Sequence, residues 1–227
     1  MNEDKINTLI ISAGYSKRMG AFKPSLEYQN LPFILNIVLK TSQICDSIFI
    51  VTGYRSDYLR KKVDNLLSKD PLPEWLHKNH ISLEAWQNLC KQTHFIHNPE
   101  FRLGMFSSLQ QGLRHMNITT WILYHFVDQP HIPATFYREF SRQVSPNIQW
   151  IQPQFQKKNG HPIILHKSLT THILAANINE NLNNLFKKMP IPKKFWDCPY
   201  PEVLQDFDTL SDAYEGGALN DSHPKNN

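Results

Sequence analysis

The chain predicts an α/β fold in which a mostly parallel sheet carries helices on both faces, and three observations lead there. Residues 8–12 (TLIIS) and 47–52 (SIFIVT) are unbroken β-rich apolar runs, each stopped by a glycine-bearing loop, as in strands buried on both faces. Residues 33–41 between them place apolar side chains at helical spacing, which makes the opening β-α-β. Right-handed crossovers then wind such units into a parallel sheet with helices on either side.

The remaining elements follow in order. Residues 54–67 read as an amphipathic helix, and 93–97 (THFIH) as a third strand ahead of Asn98-Pro99. Between these, residues 68–92 form a long irregular insertion with Pro71, Pro73, Trp75 and Trp86, carrying a helix of its own around 83–90. Residues 107–116 are helical, and 121–127 are an apolar strand halted by Asp128-Gln129-Pro130. A helix over 133–144, strands over 148–153 and 162–166, and an Asn-rich helix over 169–188 come next. Residues 202–207 are expected as a final edge strand. Residues 1–219 are thus expected to form one domain, with a polar, disordered tail over 220–227.

Composition narrows the partners. With 41% hydrophobic and 19% charged residues the chain has enough apolar surface for a packed core, which excludes the disordered class. The formal charge of +4 comes from single cations and short pairs, so it leans weakly toward anionic ligands. No basic stripe interleaved with aromatics is present, so nucleic acid is not an expected partner. Cys45, Cys90 and Cys198 are an odd number of distant thiols, which suits reduced cysteines in the cytoplasm. The polar N-terminus has no signal-peptide pattern, and no apolar run approaches about 18 residues, so no membrane segment is expected.

The residues that carry chemistry begin directly after the first strand, in Ser12-Ala13-Gly14-Tyr15-Ser16-Lys17-Arg18-Met19-Gly20-Ala21-Phe22-Lys23-Pro24. Gly14 and Gly20 allow backbone N–H groups to approach phosphate oxygens closely. Arg18 can fork two such oxygens, and Lys23 adds a point charge. An isolated Gly-x-x-x-Arg reads first as an ordinary turn with two solvated cations. The strand before it, the second glycine and the second cation favour a phosphate loop, and the segment is neither a Walker loop nor a Gly-x-Gly-x-x-Gly fingerprint. In Asn98-Pro99-Glu100-Phe101-Arg102-Leu103-Gly104-Met105-Phe106-Ser107-Ser108, either serine can cap the following helix, and Gly104 opens its N-terminus to polar ligand groups. Asp128 stands at the carboxyl end of an apolar strand, where open α/β sheets bind ligands and where a hard carboxylate suits Mg²⁺. The alternative there is a turn residue. His77 and His80 have metal-ligand spacing but no nearby acid or thiol, and read as a solvated pair. The five tryptophans read as packing residues.

Residues 12–24 resemble the signature Leu-Ala-Ala-Gly-x-Ser-x-Arg-Met-Gly-x-x-Lys of the MobA-like NTP transferases, departing at Ser12, where the family usually has Ala. The second block is similar to Asn-Pro-x-x-x-x-Gly-Met-x-x-Ser-Leu-x-x-Gly of the molybdenum cofactor cytidylyltransferase branch. Asp128-Gln129-Pro130 resembles the family's metal-binding Asp-x-Pro. Asp206-Phe207-Asp208-Thr209-Leu210-Ser211-Asp212 resembles Asp-Ile-Asp-Thr-Pro-Glu-Asp, whose second acid, here Asp208, is implied as the other metal ligand. Gly160-His161-Pro162 resembles a Gly-x-Pro segment on the acceptor side.

The resemblance implies a Rossmann-like three-layer α/β/α sandwich of the nucleotide-diphospho-sugar transferase type. It further implies a cytoplasmic, Mg-dependent nucleotidyltransferase that moves NMP from an NTP to a phosphorylated acceptor. Arg18, Lys23 and Asp128 are the implied catalytic residues. Ser12, Ala13, Gly14, Ser16, Gly20, Gly104, Ser107 and Ser108 are assigned to the nucleotide. Ala13, where guanylyl-transferring relatives tend to have Gly, points to CTP over GTP, and molybdopterin is the implied acceptor, with a molybdoenzyme as a protein partner. The rivals are a sugar-1-phosphate or other small phospho-acceptor, and a non-catalytic scaffold for cofactor maturation. Two departures stand out: residues 175–185 (AANINENLNNL) lack the Gly-Asp-x-Gly-Ala/Arg segment of that branch, and the insertion at 68–92 is longer than such relatives need.

Overall fold

The computed structural model describes residues 5–69, 76–77, 81–118, 120–187 and 189–215. The tail over 220–227, Trp75 and His80 lie outside the described residues. The first half runs β1 (Ile6–Ser12), β2 (Glu27–Tyr28), β3 (Leu31–Pro32), α1 (Phe33–Thr41), β4 (Ser47–Thr52), α2 (Ser56–Leu67), α3 (Leu83–Gln92), β5 (Thr93–His97), α4 (Met105–His115) and β6 (Trp121–Phe126). The second half runs α5 (Ala134–Ser141), β7 (Trp150–Phe155), β8 (Lys158–Asn159), β9 (Ile163–His166), α6 (Thr170–Ala175), α7 (Leu182–Lys187), β10 (Lys193–Asp197) and α8 (Leu210–Glu215).

One eight-stranded sheet has the order β10-β7-β9-β6-β1-β4-β5, with β8 beside β7. Pairings of β1 with β4 and β6, of β4 with β5, and of β10 with β7 are parallel. Strand β9 runs antiparallel to both β6 and β7. Alternation along β1 shows why the strands read as unbroken apolar runs. Ile6 and Ile10 join one buried cluster with residues of α1, α2, α3 and α5, while Leu9 and Ile11 join a second with residues of α4, α6 and α7. Each face is covered by helices, so the strand directs apolar side chains to both sides. This is the three-layer sandwich the sequence implies.

Two expectations are overturned. The single helix over 169–188 is instead α6 and α7, separated by residues 176–181. There the Asn side chains compete with helical hydrogen bonding, since Asn177 Oδ1 accepts from the Asn179 amide (2.9 Å) and Asn181 Oδ1 caps the Asn184 amide (2.9 Å). The edge strand expected over 202–207 is a 3-10 turn, Pro201–Leu204, followed by irregular chain. Pro201 lacks the N–H a ladder needs, and the edge goes to β10, whose alternation of Lys193, Phe195 and Asp197 outward fits a half-exposed strand.

Candidate functional site

The loop after β1 is shaped by two left-handed residues, Ser16 (φ 55°) and Gly20 (φ 66°), which bracket a 3-10 turn at Lys17–Met19. Met19 plugs the core and turns Lys17 and Arg18 outward. The Ser16 conformation costs backbone energy, offset in part because its Oγ accepts the Lys23 amide (3.2 Å). Below the loop, the Ala13 carbonyl accepts the Tyr54 amide (3.1 Å), and the Tyr15 ring lies against Tyr54 and Phe101 (centroids 5.1 and 5.2 Å). The loop is therefore fastened to β4 and to the turn ahead of α4.

Four charged groups converge. Lys23, only 8% exposed, holds Nζ 3.0 Å from Asp208 Oδ1 and 3.5 Å from Asp128 Oδ2. Arg18 Nη1 lies 2.7 Å from Asp208 Oδ2. Asp128 follows β6 and Asp208 precedes α8, and the Phe207 amide joins their segments by donating to the Asp128 carbonyl (2.9 Å). Gln129 strengthens the joint, its side-chain amide reaching the carbonyls of Val203 (3.4 Å) and Gln205 (3.3 Å). Capping of α8 falls to other groups: Asp212 Oδ2 accepts the amides of Asp208 and Thr209, and Thr209 Oγ1 accepts that of Asp212. The Asp208 carboxylate is left facing Lys23 and Arg18.

Burial pushes the Asp128 carboxyl above its usual range, Lys23 pulls it down, and Asp206 and Asp208 push it further up. Asp128 Oδ1 is buried without a hydrogen-bond partner among the described residues. An orphaned carboxylate oxygen beside a second carboxylate fits a small hard cation that takes its other ligands from phosphates and water. Among the described residues no cluster of three or more His, Cys, Asp or Glu could hold a metal alone.

These groups line a cleft of about 230 Å³ together with Ser12, Gly14, Ser16 and Lys17. A second cavity of about 380 Å³ shares Met105 and Phe126 with it and is bounded by Gly104, Tyr124, Trp150, His161 and residues 178–183. His161 is held below the usual imidazole range by burial, and its Nδ1 has no partner among the described residues. Other assigned residues sit elsewhere. Ala13 is buried beneath the loop. Gly20 is the loop's hinge rather than its lining, and Gly104 opens onto the second cavity. The hydroxyls of Ser107 and Ser108 are buried, each accepting from Asn98 Nδ2 (3.0 Å), so they fix the turn before α4. Asn98, Gln110, Gln129 and Trp150 are the residues local sequence pattern missed. An Asn before Pro is the single local cue among them, and the rest depend on long-range packing.

No described helix is long and apolar enough to cross a membrane. The model of the MobA-like NTP transferase domain matches residues 8–193. The molybdenum cofactor cytidylyltransferase of Escherichia coli (strain K12) is 23% identical over 208 residues, 91% of this chain and 93% of that protein. A nucleotidyl transferase from Methanothermobacter superposes with a TM-score of 0.71 at 15% identity, covering 95% of this chain and 97% of that one. A Mycobacterium tuberculosis H37Rv protein in complex with manganese gives a TM-score of 0.63 at 16% identity, covering 94% and 98%. Those two likenesses bear on the fold; the domain match extends from β1 through the start of β10 and takes in the loop after β1 and Asp128. The chain belongs to the MobA-like NTP transferase family and is a nucleotidyltransferase.

Proposed function

We propose that this enzyme transfers CMP from CTP to a phosphorylated acceptor, with molybdopterin favoured, in a Mg²⁺-dependent reaction that releases pyrophosphate. The observation that carries the reading is the meeting of Arg18, Lys23, Asp128 and Asp208 at the carboxyl ends of β1 and β6 and beside α8. Two cations and two carboxylates there match a triphosphate with its counter-ion, and the adjoining cavity leaves room for an acceptor. The acceptor is supported by the Escherichia coli relative's name. Free cysteines, two of them buried, suit a cytoplasmic site of action.

Mg²⁺, when bound by Asp128 and Asp208, supplies charge compensation for the triphosphate. The chain's own part is positioning. An ionised acceptor phosphate oxygen attacks the α-phosphorus in line, a new P–O bond forms, and the bond to the β-phosphate oxygen breaks. Pyrophosphate leaves with the electron pair, and no protein base is needed. Arg18 and Lys23 hold the leaving charge, and Lys23 can do so once it exchanges its carboxylate partners for phosphate oxygens. The preference for CTP rests on Ala13, at the position where guanylyl-transferring relatives tend to have Gly.

A second reading, transfer to a small phospho-alcohol, starts from the departure of residues 175–185 from the Gly-Asp segment of the cytidylyltransferase branch. Pyrophosphate release with CTP or GTP, paired with molybdopterin or inositol 1-phosphate, separates the two. Release with CTP and molybdopterin supports the first, release only with inositol 1-phosphate the second, and none with any pair refutes both.

A further inference from the structure

Residues 176–181, which interrupt the expected helix, form with the start of α7 one wall of the second cavity. The wall is fixed rather than loose. Gln110, itself buried, donates its side-chain amide to the carbonyls of Ile173 and Ala176 at 2.9 Å each. The Glu180 amide donates to the Asn177 carbonyl (2.9 Å), and Glu180 Oε1 accepts from the Asn181 amide (3.0 Å). With the bonds at Asn177 and Asn181 described above, those two side chains and one Glu180 oxygen serve the backbone. The side chains of Asn179 and Asn183 and the second Glu180 oxygen carry no such bond among the described residues, and all three residues line the cavity.

Charge divides the two cavities. Lys17, Arg18 and Lys23 line the first beside Asp128 and Asp208, whereas the second has no Lys or Arg on its described lining and Glu180 is its one charged residue. Tyr124, Phe126 and Trp150 also line it, beside the half-buried His161 ring. An acceptor spanning both must direct its phosphate toward the cations and its far end toward this wall. We propose that Glu180, with Asn179 and Asn183, determines acceptor specificity by binding that far end, and that it selects a flat, uncharged ring system with hydrogen-bond donors on its edge. This rests on the acceptor reading above. A carboxylate accepts hydrogen bonds only, so it pairs with N–H donors and repels a second anion. The aromatic floor favours a ring face over a polyol, whose hydroxyls lose water there without new partners.

Pyrophosphate release from CTP is measured with molybdopterin, inositol 1-phosphate and a hexose 1,6-bisphosphate for wild type, Glu180→Gln, Asn183→Ala and Asn183→Arg. Molybdopterin is the expected preferred acceptor. Glu180→Gln and Asn183→Ala are each expected to raise its KM by about tenfold while kcat and the KM for CTP stay within about twofold. Asn183→Arg is expected to improve use of the bisphosphate. Wild-type acceptor KM in Glu180→Gln with CTP turnover intact, or a preference for either of the other acceptors, overturns the proposal and leaves nucleotidyl transfer standing. Turnover with no acceptor would sink the proposed function itself, so ring binding is read separately by quenching of tryptophan fluorescence with free pterin, attributed through Trp150→Phe. Quenching that Glu180→Gln weakens supports the proposal; equal quenching in both, or none in wild type, overturns it.

Discussion

Replacing Lys23 with methionine separates its structural and chemical duties. With contacts of 3.0 and 3.5 Å to two carboxylates, each pairing is attractive by roughly 5 kcal/mol at an effective dielectric of about 20. Against this stands the loss of hydration of an ammonium in a residue 8% exposed, which costs several kcal/mol. The two oppose each other, the partly exposed carboxylates regain water when the ammonium is removed, Arg18 still pairs with Asp208, and methionine fills the volume of the lysine stem, so the expected loss of stability is about 1–2 kcal/mol. Turnover should suffer more: removing one fixed group aimed at developing charge costs about 10²–10³ in kcat, or roughly 3–4 kcal/mol. A further consequence follows for the metal. Lys23 bridges Asp128 and Asp208, so a divalent cation held by both must displace it. Lys23→Met is therefore expected to bind Mn²⁺ about tenfold more tightly than wild type in the absence of nucleotide, a modest share of the attraction it removes. Single-turnover pyrophosphate release, urea unfolding and Mn²⁺ titration by electron paramagnetic resonance measure the three quantities. Release at the wild-type rate takes Lys23 out of the chemistry, and a stability loss equal to the activity loss makes it a structural residue. Weaker Mn²⁺ binding refutes the competition.

Asp128→Asn and Asp208→Asn should each blunt the Mg²⁺ dependence of turnover, and the double variant should lose little beyond the worse single one; multiplicative losses would assign Asp208 to structure alone. Ala13→Gly should widen acceptance of GTP, and a wild-type preference for GTP defeats the base assignment. Gly53→Ala puts a Cβ 2.5 Å from Phe101 and 2.8 Å from the Ala13 carbonyl oxygen, and this overpacking should cost about 1–3 kcal/mol in urea unfolding, so unchanged stability would show that Phe101 moves freely. Burial holds His125 down to about 3, with its Nδ1–H given to the Phe126 carbonyl and its Nε2 accepting from the Tyr137 hydroxyl, whereas an unfolded imidazole titrates near 6.5. The unfolded chain takes up that proton first, so stability should fall from about pH 6.5 downward, by about 2 kcal/mol at pH 5, and His125→Gln should flatten the slope between pH 7 and 5.

How much of this was readable depends on whether the deciding physics is local. A strand buried on both faces leaves an unbroken apolar run, so β4 has the bounds the sequence predicts, and β5, at the sheet edge, is bounded by the Asn98-Pro99 turn after it. The loop after β1 is local too. Its glycines, cations and preceding strand are contiguous, and positive φ at Gly20 is a demand a sequence displays openly. Asp208 was accessible through a motif, because its role depends on chain folding back over β6, which no window of neighbouring residues reports. Ser107 and Ser108 show the converse. A capped helix start and a ligand-binding turn demand the same residue types, and only the position of Asn98 across the turn decides that the hydroxyls face inward.

Residues 176–181 put the two kinds of information in conflict. Periodicity asks for one helix across them, and two asparagines oppose it with side-chain acceptors for the amides of Asn179 and Asn184. Which side prevails is settled from outside the segment, by Gln110 on α4 taking up the carbonyls of Ile173 and Ala176 where the helix stops. A continuous helix would present one face to the cavity and bury its polar groups in its own ladder. The interrupted chain turns Asn179, Glu180 and Asn183 toward the space beside Trp150. The local frustration that defeats the helix prediction is thus the same feature that supplies this chain, in place of its family's Gly-Asp segment, with groups able to read an acceptor.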